Sequence, residues 1–354
     1  MIRHPRRCDM SDKNNPIGLR GIEFTEFTGG TLEQLDALFW AFGFSKKYRH
    51  PKLDISIYNQ NGINFLLNGE REGFSGHFAK LHGPSISSMG WRVDDAAFAR
   101  QEAVRRGARA ADPKDCDLPY PAIYGIGDSL IYFIERFGAR GSIYATDFVP
   151  HEQARLQPDK GFLEIDHLTN NVPQGQMEQW GAFYKEIFGF TEVRYFDIKG
   201  VKTGLTSYAL RSPDGSFCIP INQPKDDKDQ ISEYLAEYNG PGVQHLAFST
   251  NDILASLDAM KGGPIEMLDI DANYYDNVFQ RLPNVREDKE RIRAHHVLVD
   301  GDQDGYLLQI FTKNIIGPIF VEIIQRENNL SFGEGNFGAL FRSIEKDQER
   351  RGVI

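Results

Sequence analysis

The sequence predicts an α+β chain built from two tandem copies of a βαβββ module, and three features point there. The first is an internal repeat, the mark of a duplicated scaffold. FLEIDHLTNNV at 162–172 and the helix after it echo GIEFTEFTGG and a helix ending in AFGF. HLAFSTNDILASLDAM at 245–260 echoes SMGWRVDDAAFARQEA at 88–103, and IFVEIIQR at 319–326 echoes SLIYFIER at 129–136. The second feature is element order, which lacks the strand–helix alternation of a doubly wound nucleotide fold. The third is GYLLQIFTKNIIGPIFVEIIQR at 305–326, two apolar runs around Lys313-Asn314 and Gly317-Pro318, which reads as an antiparallel pair. Period-two alternation sets Phe320, Glu322 and Ile324 on one face, with Gln309 and Phe311 similarly paired on the preceding strand. Glu322 then points where a core should be, and a carboxylate there needs a cation to offset its desolvation.

In chain order, residues 1–9 (MIRHPRRCD) are basic and aperiodic, an extension or a stretch upstream of a start at Met10. Order begins near Ile17. The pattern gives a strand over 21–27 and a helix over 32–42 with Leu32, Leu35, Leu38 and Phe39 on one stripe. Strands over 53–58 and Ile63–Asn68, a helical patch over 76–82, a strand over 88–93, a helix over 95–107 and a strand over 130–136 follow. Residues 145–161 carry Pro150, Pro158 and no period, so the module boundary is set there. Residues 15–148 form a first module without a site and residues 161–354 a second module. The second opens with a strand over 162–172 and a helix over 175–190. The segment 337–351 is an amphipathic helix, with Phe337, Leu340, Phe341 and Ile344 on one stripe and Arg350 and Arg351 at its negative end. Its glycine-rich lead-in suits either a fixed cap or a lid whose Phe332 and Phe337 wall a site against water.

The bulk numbers exclude several classes. A net charge of −10 argues against a nucleic-acid binder and suits a cytoplasmic protein. No apolar window is long enough to span a bilayer, and the N-terminus lacks the apolar core of a signal peptide. Cys8, Cys116 and Cys218 are widely spaced, which fits a reducing compartment and no thiolate metal site.

Chemistry enters through the repeat. Overlaid, His167 falls on Glu26, His245 on Ser88 and Glu322 on Tyr132, so the second copy carries His, His and Glu. His167 is read as mid-strand, pointing the same way as Ile165, and His245 as opening its strand. Each histidine alone reads as a hydrogen-bonded core residue. Together, two imidazoles and a carboxylate with no fourth protein ligand fit the facial triad of non-haem Fe(II) oxygenases, which leaves coordination positions open. The other candidates are weaker. His295-His296 read as neighbours in a strand, facing opposite ways. His4, His50, His77, His82 and His151 lie in polar or loop-like contexts. The 333–338 stretch matches G-x-G-x-x-G, but without a returning strand it makes a poor dinucleotide site. Residues 225–229 (KDDKD) read as a solvated loop.

At these residues the chain resembles the 4-hydroxyphenylpyruvate dioxygenase family, from Asn15 to the C-terminus. The resemblance is carried by EIDHLTNNV, YFDIKG, TGLTS, IPIN, GVQHLAF, RLP, LLQIF, FVEIIQR and FGEGNFGALFRSIEKDQERRGV. It implies two vicinal-oxygen-chelate modules, each an open curved barrel of βαβββ repeats with outer helices, and an active site in the second module alone. By position it makes His167, His245 and Glu322 the Fe(II) ligands. Ser207, Asn222, Gln230, Gln244 and Gln309 become polar pocket residues, Phe311, Phe320, Phe332 and Phe337 an aromatic wall, and Asn336 the start of a gate helix. Gln244, Gln309 and Asn336 are the candidates for a catalytic part. The implied reaction takes 4-hydroxyphenylpyruvate and O2 to homogentisate and CO2 in tyrosine and phenylalanine catabolism. Rivals on the same scaffold are hydroxymandelate synthase, a catechol dioxygenase and a non-catalytic binding module. A homo-oligomer, dimer or tetramer, joined through the first module, is expected on general grounds, with no membrane or nucleic-acid partner.

Overall fold

The alternating apolar runs of each half close into a mixed sheet of their own. The structure, a computed structural model, describes residues 14–199 and 203–353, so the N-terminal extension with His4 and Cys8 lies outside it. Among the described residues the first sheet has eight strands: β1 (Leu19–Thr28), β2 (Ser45–Arg49), β3 (Ile55–Gln60), β4 (Ile63–Asn68), β5 (Ser85–Val93), β6 (Ala122–Tyr124), β7 (Leu130–Ile134) and β8 (Val149–Arg155). Their order is β6-β7-β5-β1-β4-β3-β2-β8. The second sheet holds β9 (Phe162–Asn171), β10 (Thr191–Lys199), β11 (Gly204–Arg211), β12 (Cys218–Pro224), β13 (Gly242–Thr250), β14 (Leu298–Gly301), β15 (Tyr306–Phe311) and β16 (Phe320–Glu327), in the order β10-β11-β12-β9-β13-β16-β15-β14.

The two sheets share one plan. β1 runs parallel to β4 and antiparallel to β5, and β5 runs parallel to β7. β9 has the same relation to β12 and β13, and β13 to β16. Helices Leu32–Ala41, Gly73–His82 and Ala96–Arg105 have counterparts in Met177–Phe188, Gln230–Tyr238 and Ile253–Met260. The expected α+β tandem fold is the fold found. Aspartates punctuate it: Asp95, Asp229, Asp252 and Asp288 each accept a backbone N–H at the start of a helix, which satisfies donors the helix cannot. One apolar core joins the halves, with Phe42 and Phe44 lying 5.6 and 6.0 Å from Phe248 and Trp91 lying 4.8 Å from Phe188.

The structure differs from the sequence reading where strands are polar. The aperiodic stretch between the halves contains β8, which adds to the edge of the first sheet beside β2. It is mostly exposed and carries Pro150, so it has no buried face to produce an alternation. His295 caps helix Lys289–Ala294 and His296 follows at φ 60°, so neither lies in a strand. His82 is a buried helical residue whose Nδ1 lies 2.7 Å from the Tyr238 carbonyl oxygen. The 225–229 loop is not wholly solvated, because Asp229 is buried as the cap of Gln230–Tyr238 and also accepts the Lys225 N–H.

Candidate metal centre

β9, β13 and β16 lie side by side in the second sheet, and two β-bulges decide what they present. His167 pairs with Ala247 but Ile165 pairs with Phe248, so Asp166 is an extra residue in β9. Ile165 therefore packs into the core while His167 enters a pocket, against the expectation that both point one way. Asn170 pairs with Val243 and Thr169 with His245, which makes Gln244 the extra residue of β13. That bulge sends the consecutive Gln244 and His245 into the same pocket, which a regular strand forbids. His245 is thus mid-strand, not at its start. Glu322 comes from β16, opposite Ala247 on one side and Phe311 on the other.

The three donors converge. Glu322 Oε2 lies 3.1 Å from His167 Nε2 and 3.5 Å from His245 Nε2, and all three residues are buried. Among the described residues this is the one group of three or more His, Cys, Asp or Glu whose candidate ligand atoms lie within 4.8 Å of one another. Each imidazole is oriented from behind. His167 Nδ1 faces Asp166 Oδ1 at 2.8 Å and His245 Nδ1 faces Gln244 Oε1 at 3.2 Å, so both Nδ1–H groups donate outward. His167 Nε2 then faces Glu322, while His245 Nε2 lies 3.0 Å from the Thr169 hydroxyl oxygen beside the same carboxylate. Asn222 Nδ2 donates to the same Gln244 oxygen at 3.4 Å. Burial alone would raise the Glu322 carboxyl, yet the His167 charge and hydrogen bond, with His245 close by, hold it at about 2. Burial likewise opposes charge on His167, but Glu322 and Asp166 carry it up to about 9. Burial lowers His245, and the neighbouring His167 charge adds to the effect. A buried carboxylate whose ion-pair partners, among the described residues, are imidazoles alone fits a divalent transition-metal ion, by donor type and by number.

The pocket collects the sequence candidates. Ser207, Asn222, Gln230, Gln244, Gln309, Phe311, Phe320, Phe332 and Phe337 line one cavity with the three donors. Phe320 stacks on the His245 ring at 4.6 Å, and Phe332 meets His167 edge-on at 5.6 Å. The helix Phe337–Arg351 roofs the cavity with Phe337, Leu340, Phe341 and Ile344. Asn336 stands one layer back. It is fully buried, donates to Gln309 Oε1 at 3.5 Å and accepts the Tyr274 hydroxyl at 2.6 Å. Gly333, three residues earlier, leaves room for that contact: a Cβ there would lie 1.9 Å from Gln309 Oε1. Sequence reasoning missed Asp166, Arg326, Thr169, Tyr274 and the wall residue Phe196. The available signal was position: Asp166 is the immediate neighbour of His167, and Arg326 lies four residues past Glu322 on the same strand.

The registers also correct the overlay of the halves. Ala247 pairs with His167 and Glu322, as Gly90 pairs with Phe24 and Tyr132. The counterpart of His167 is therefore Phe24, and Glu26 corresponds to Thr169. The overlay was two residues out, a slip that keeps the strand face and so leaves alternation intact.

Residues 13–149 match the family model described as "Hydroxyphenylpyruvate dioxygenase, HPPD, N-terminal", and residues 164–310 match "Glyoxalase/Bleomycin resistance protein/Dioxygenase superfamily". Over 351 residues the chain is 44% identical to 4-hydroxyphenylpyruvate dioxygenase of Pseudomonas aeruginosa, covering 97% of this chain and 98% of that one. The chain belongs to the 4-hydroxyphenylpyruvate dioxygenase family. It is also 64% identical over 346 residues to Protein MelA of Shewanella colwelliana, covering 98% of this chain and 100% of that one. Among solved structures it matches a xylose isomerase-like TIM barrel/4-hydroxyphenylpyruvate dioxygenase fusion protein with a TM-score of 0.79 at 28% identity, covering 93% of this chain and 53% of the fusion. The family resemblance stated from the sequence thus stands, and no helix among the described residues is long and apolar enough to cross a membrane.

Proposed function

We propose that the chain is an Fe(II)-dependent dioxygenase that converts 4-hydroxyphenylpyruvate and O2 to homogentisate and CO2. The observation that carries this reading is the buried His167, His245 and Glu322 set at the end of a pocket walled by phenyl rings and amides, in a chain that belongs to the named family. The three residues would hold Fe(II), which when bound would supply chelation of the keto acid and the redox chemistry of O2. The rest falls to the protein. Phe311, Phe320, Phe332 and Phe337 enclose an aromatic ring and exclude water, which protects a reactive oxidant from side reactions. Gln309, Gln244, Asn222, Gln230 and Ser207 offer donors and acceptors that orient a phenol and a carboxylate without titrating. Asn336, behind Gln309, acts through that amide. Self-association of the chain, which its size and metabolic chemistry favour, belongs to the same reading and is tested by light scattering.

The test is aerobic turnover of 4-hydroxyphenylpyruvate by Fe(II)-loaded protein, with products separated by chromatography and CO2 measured. Homogentisate in equal amount to CO2 is expected. 4-Hydroxymandelate would overturn the site of oxidation while keeping the metal. No product from iron-loaded protein would overturn the activity.

A further inference from the structure

Arg326 sits at the end of β16, four residues past Glu322, and its side chain is mostly buried at 17% exposure. Its guanidinium is divided between two jobs. Nε and Nη2 form a fork on the Asp166 carboxylate, each at 2.8 Å, and Asp166 Oδ1 in turn accepts the Nδ1–H of His167. Nη1 turns the other way and donates to two main-chain carbonyls, Asn329 at 3.1 Å and Ser331 at 2.6 Å. Those carbonyls precede Phe332, whose ring packs against the His167 ring at 5.6 Å and lies 5.9 Å from the guanidinium carbon. One planar cation therefore grips both the carboxylate behind a metal-ligand candidate and the backbone that delivers a pocket wall.

We propose that Arg326 is a positioning residue that couples metal binding at His167 to the ordering of the 329–332 segment, so that each strengthens the other. The inference rests on the metal site proposed above but not on the identity of the substrate. The physical basis is reciprocity: if holding Phe332 in place favours the His167 orientation that binds metal, bound metal favours the ordered segment by the same factor. Arginine suits this role because its fork leaves a third nitrogen free, whereas a lysine ammonium cannot span both sets of acceptors.

The experiment combines Fe(II) affinity, by chelator competition without oxygen, with amide hydrogen exchange of the peptide covering 329–333, with and without Fe(II). In the parent protein Fe(II) is expected to slow exchange in that peptide. In Arg326→Lys, Fe(II) affinity is expected to fall about tenfold or more, in the range for groups that orient metal ligands, and the Fe(II)-dependent slowing is expected to disappear. Asp166→Asn, which keeps an acceptor for His167 but loses the charge that holds the fork, is expected to weaken both in the same direction and carries the test if Arg326→Lys does not fold. Affinity within twofold of the parent in the folded variant would overturn the coupling. So would lost affinity with the slowing intact, because Arg326 would then act on the imidazole alone. A parent that binds no Fe(II) would overturn the metal site, and with it this inference.

Discussion

At three equivalent places in one strand plan, the first half holds Phe24, Ser88 and Tyr132 and the second half holds His167, His245 and Glu322. The first half fills the space. The rings of Phe24 and Tyr132 lie 6.2 Å apart, and a Cβ on the intervening Gly90 would come within 2.4 Å of the Phe24 ring. The second half has Ala247 where the first has Gly90, and polar donors where it has rings. What differs is how the centre of the sheet is satisfied, by dispersion and burial in one half and by a shared proton or a cation in the other. The first half keeps a trace of polarity in Glu26. This fully buried carboxylate accepts from the Ser88 hydroxyl and, at 2.8 Å, from Asn68 Nδ2.

The largest effect is expected from Glu322→Gln, which removes the one anionic donor. Metal binding and turnover should fall to background while the metal-free protein keeps its circular dichroism spectrum, and retained iron with turnover would break the contrast between the halves. Phe24→Ala at the equivalent place should cost about 3–5 kcal/mol in urea unfolding, the range for emptying a buried phenyl site, with turnover per folded molecule retained. Phe337→Ala should do the opposite, costing little stability and much turnover, because its ring faces the pocket.

Next in size is a pH effect. Burial raises the Glu26 carboxyl from 4.5 to about 7, although Ser88 and Asn68 donate to it, and Asp117 adds to the rise. Tyr132, the other titratable group facing it, is pushed far above neutrality by burial. The folded state therefore holds the Glu26 proton more tightly than the unfolded state does. Its contribution is complete below pH 4.5 and is lost as pH rises to about 7, a difference of about 3 kcal/mol at roughly 1.4 kcal/mol per unit. Glu26→Gln should remove that loss, so that variant and parent diverge in stability between pH 5 and pH 8. The smallest effect is expected from Tyr274→Phe, which strips one hydroxyl from Asn336 behind Gln309. A three- to tenfold fall in kcat/KM, about 1 kcal/mol, together with a greater share of CO2 released without homogentisate, would mark a role in aiming the substrate.

Much of this was legible in the chain. The duplication follows from the internal repeat, the antiparallel pair around Gly317-Pro318 from two apolar runs flanking a turn, and the C-terminal helix Phe337–Arg351 from its apolar stripe. The His, His and Glu candidates and the pocket side chains were legible through repeat and resemblance together. What was not legible depends on register. Alternation cannot see the extra residue Asp166, so it put His167 on the face of Ile165, and it cannot detect a two-residue slip, so the overlay matched His167 to Glu26. Polar edge strands such as β8 carry no period at all, and the Arg326–Asp166 contact joins residues 160 positions apart.

The bulges also bear on the history of the chain. The first half has the same irregularities, with Glu23 extra between Ile22 and Phe24 and Ser87 extra between Ile86 and Ser88, although it holds no His, His and Glu set there. They belong to the duplicated plan and not to the ligands. Side-chain changes on this plan can then turn a packed centre into a donor set without moving the strands, whereas loss of a single codon at Asp166 or Gln244 would turn the rest of its own strand over by one face and undo it.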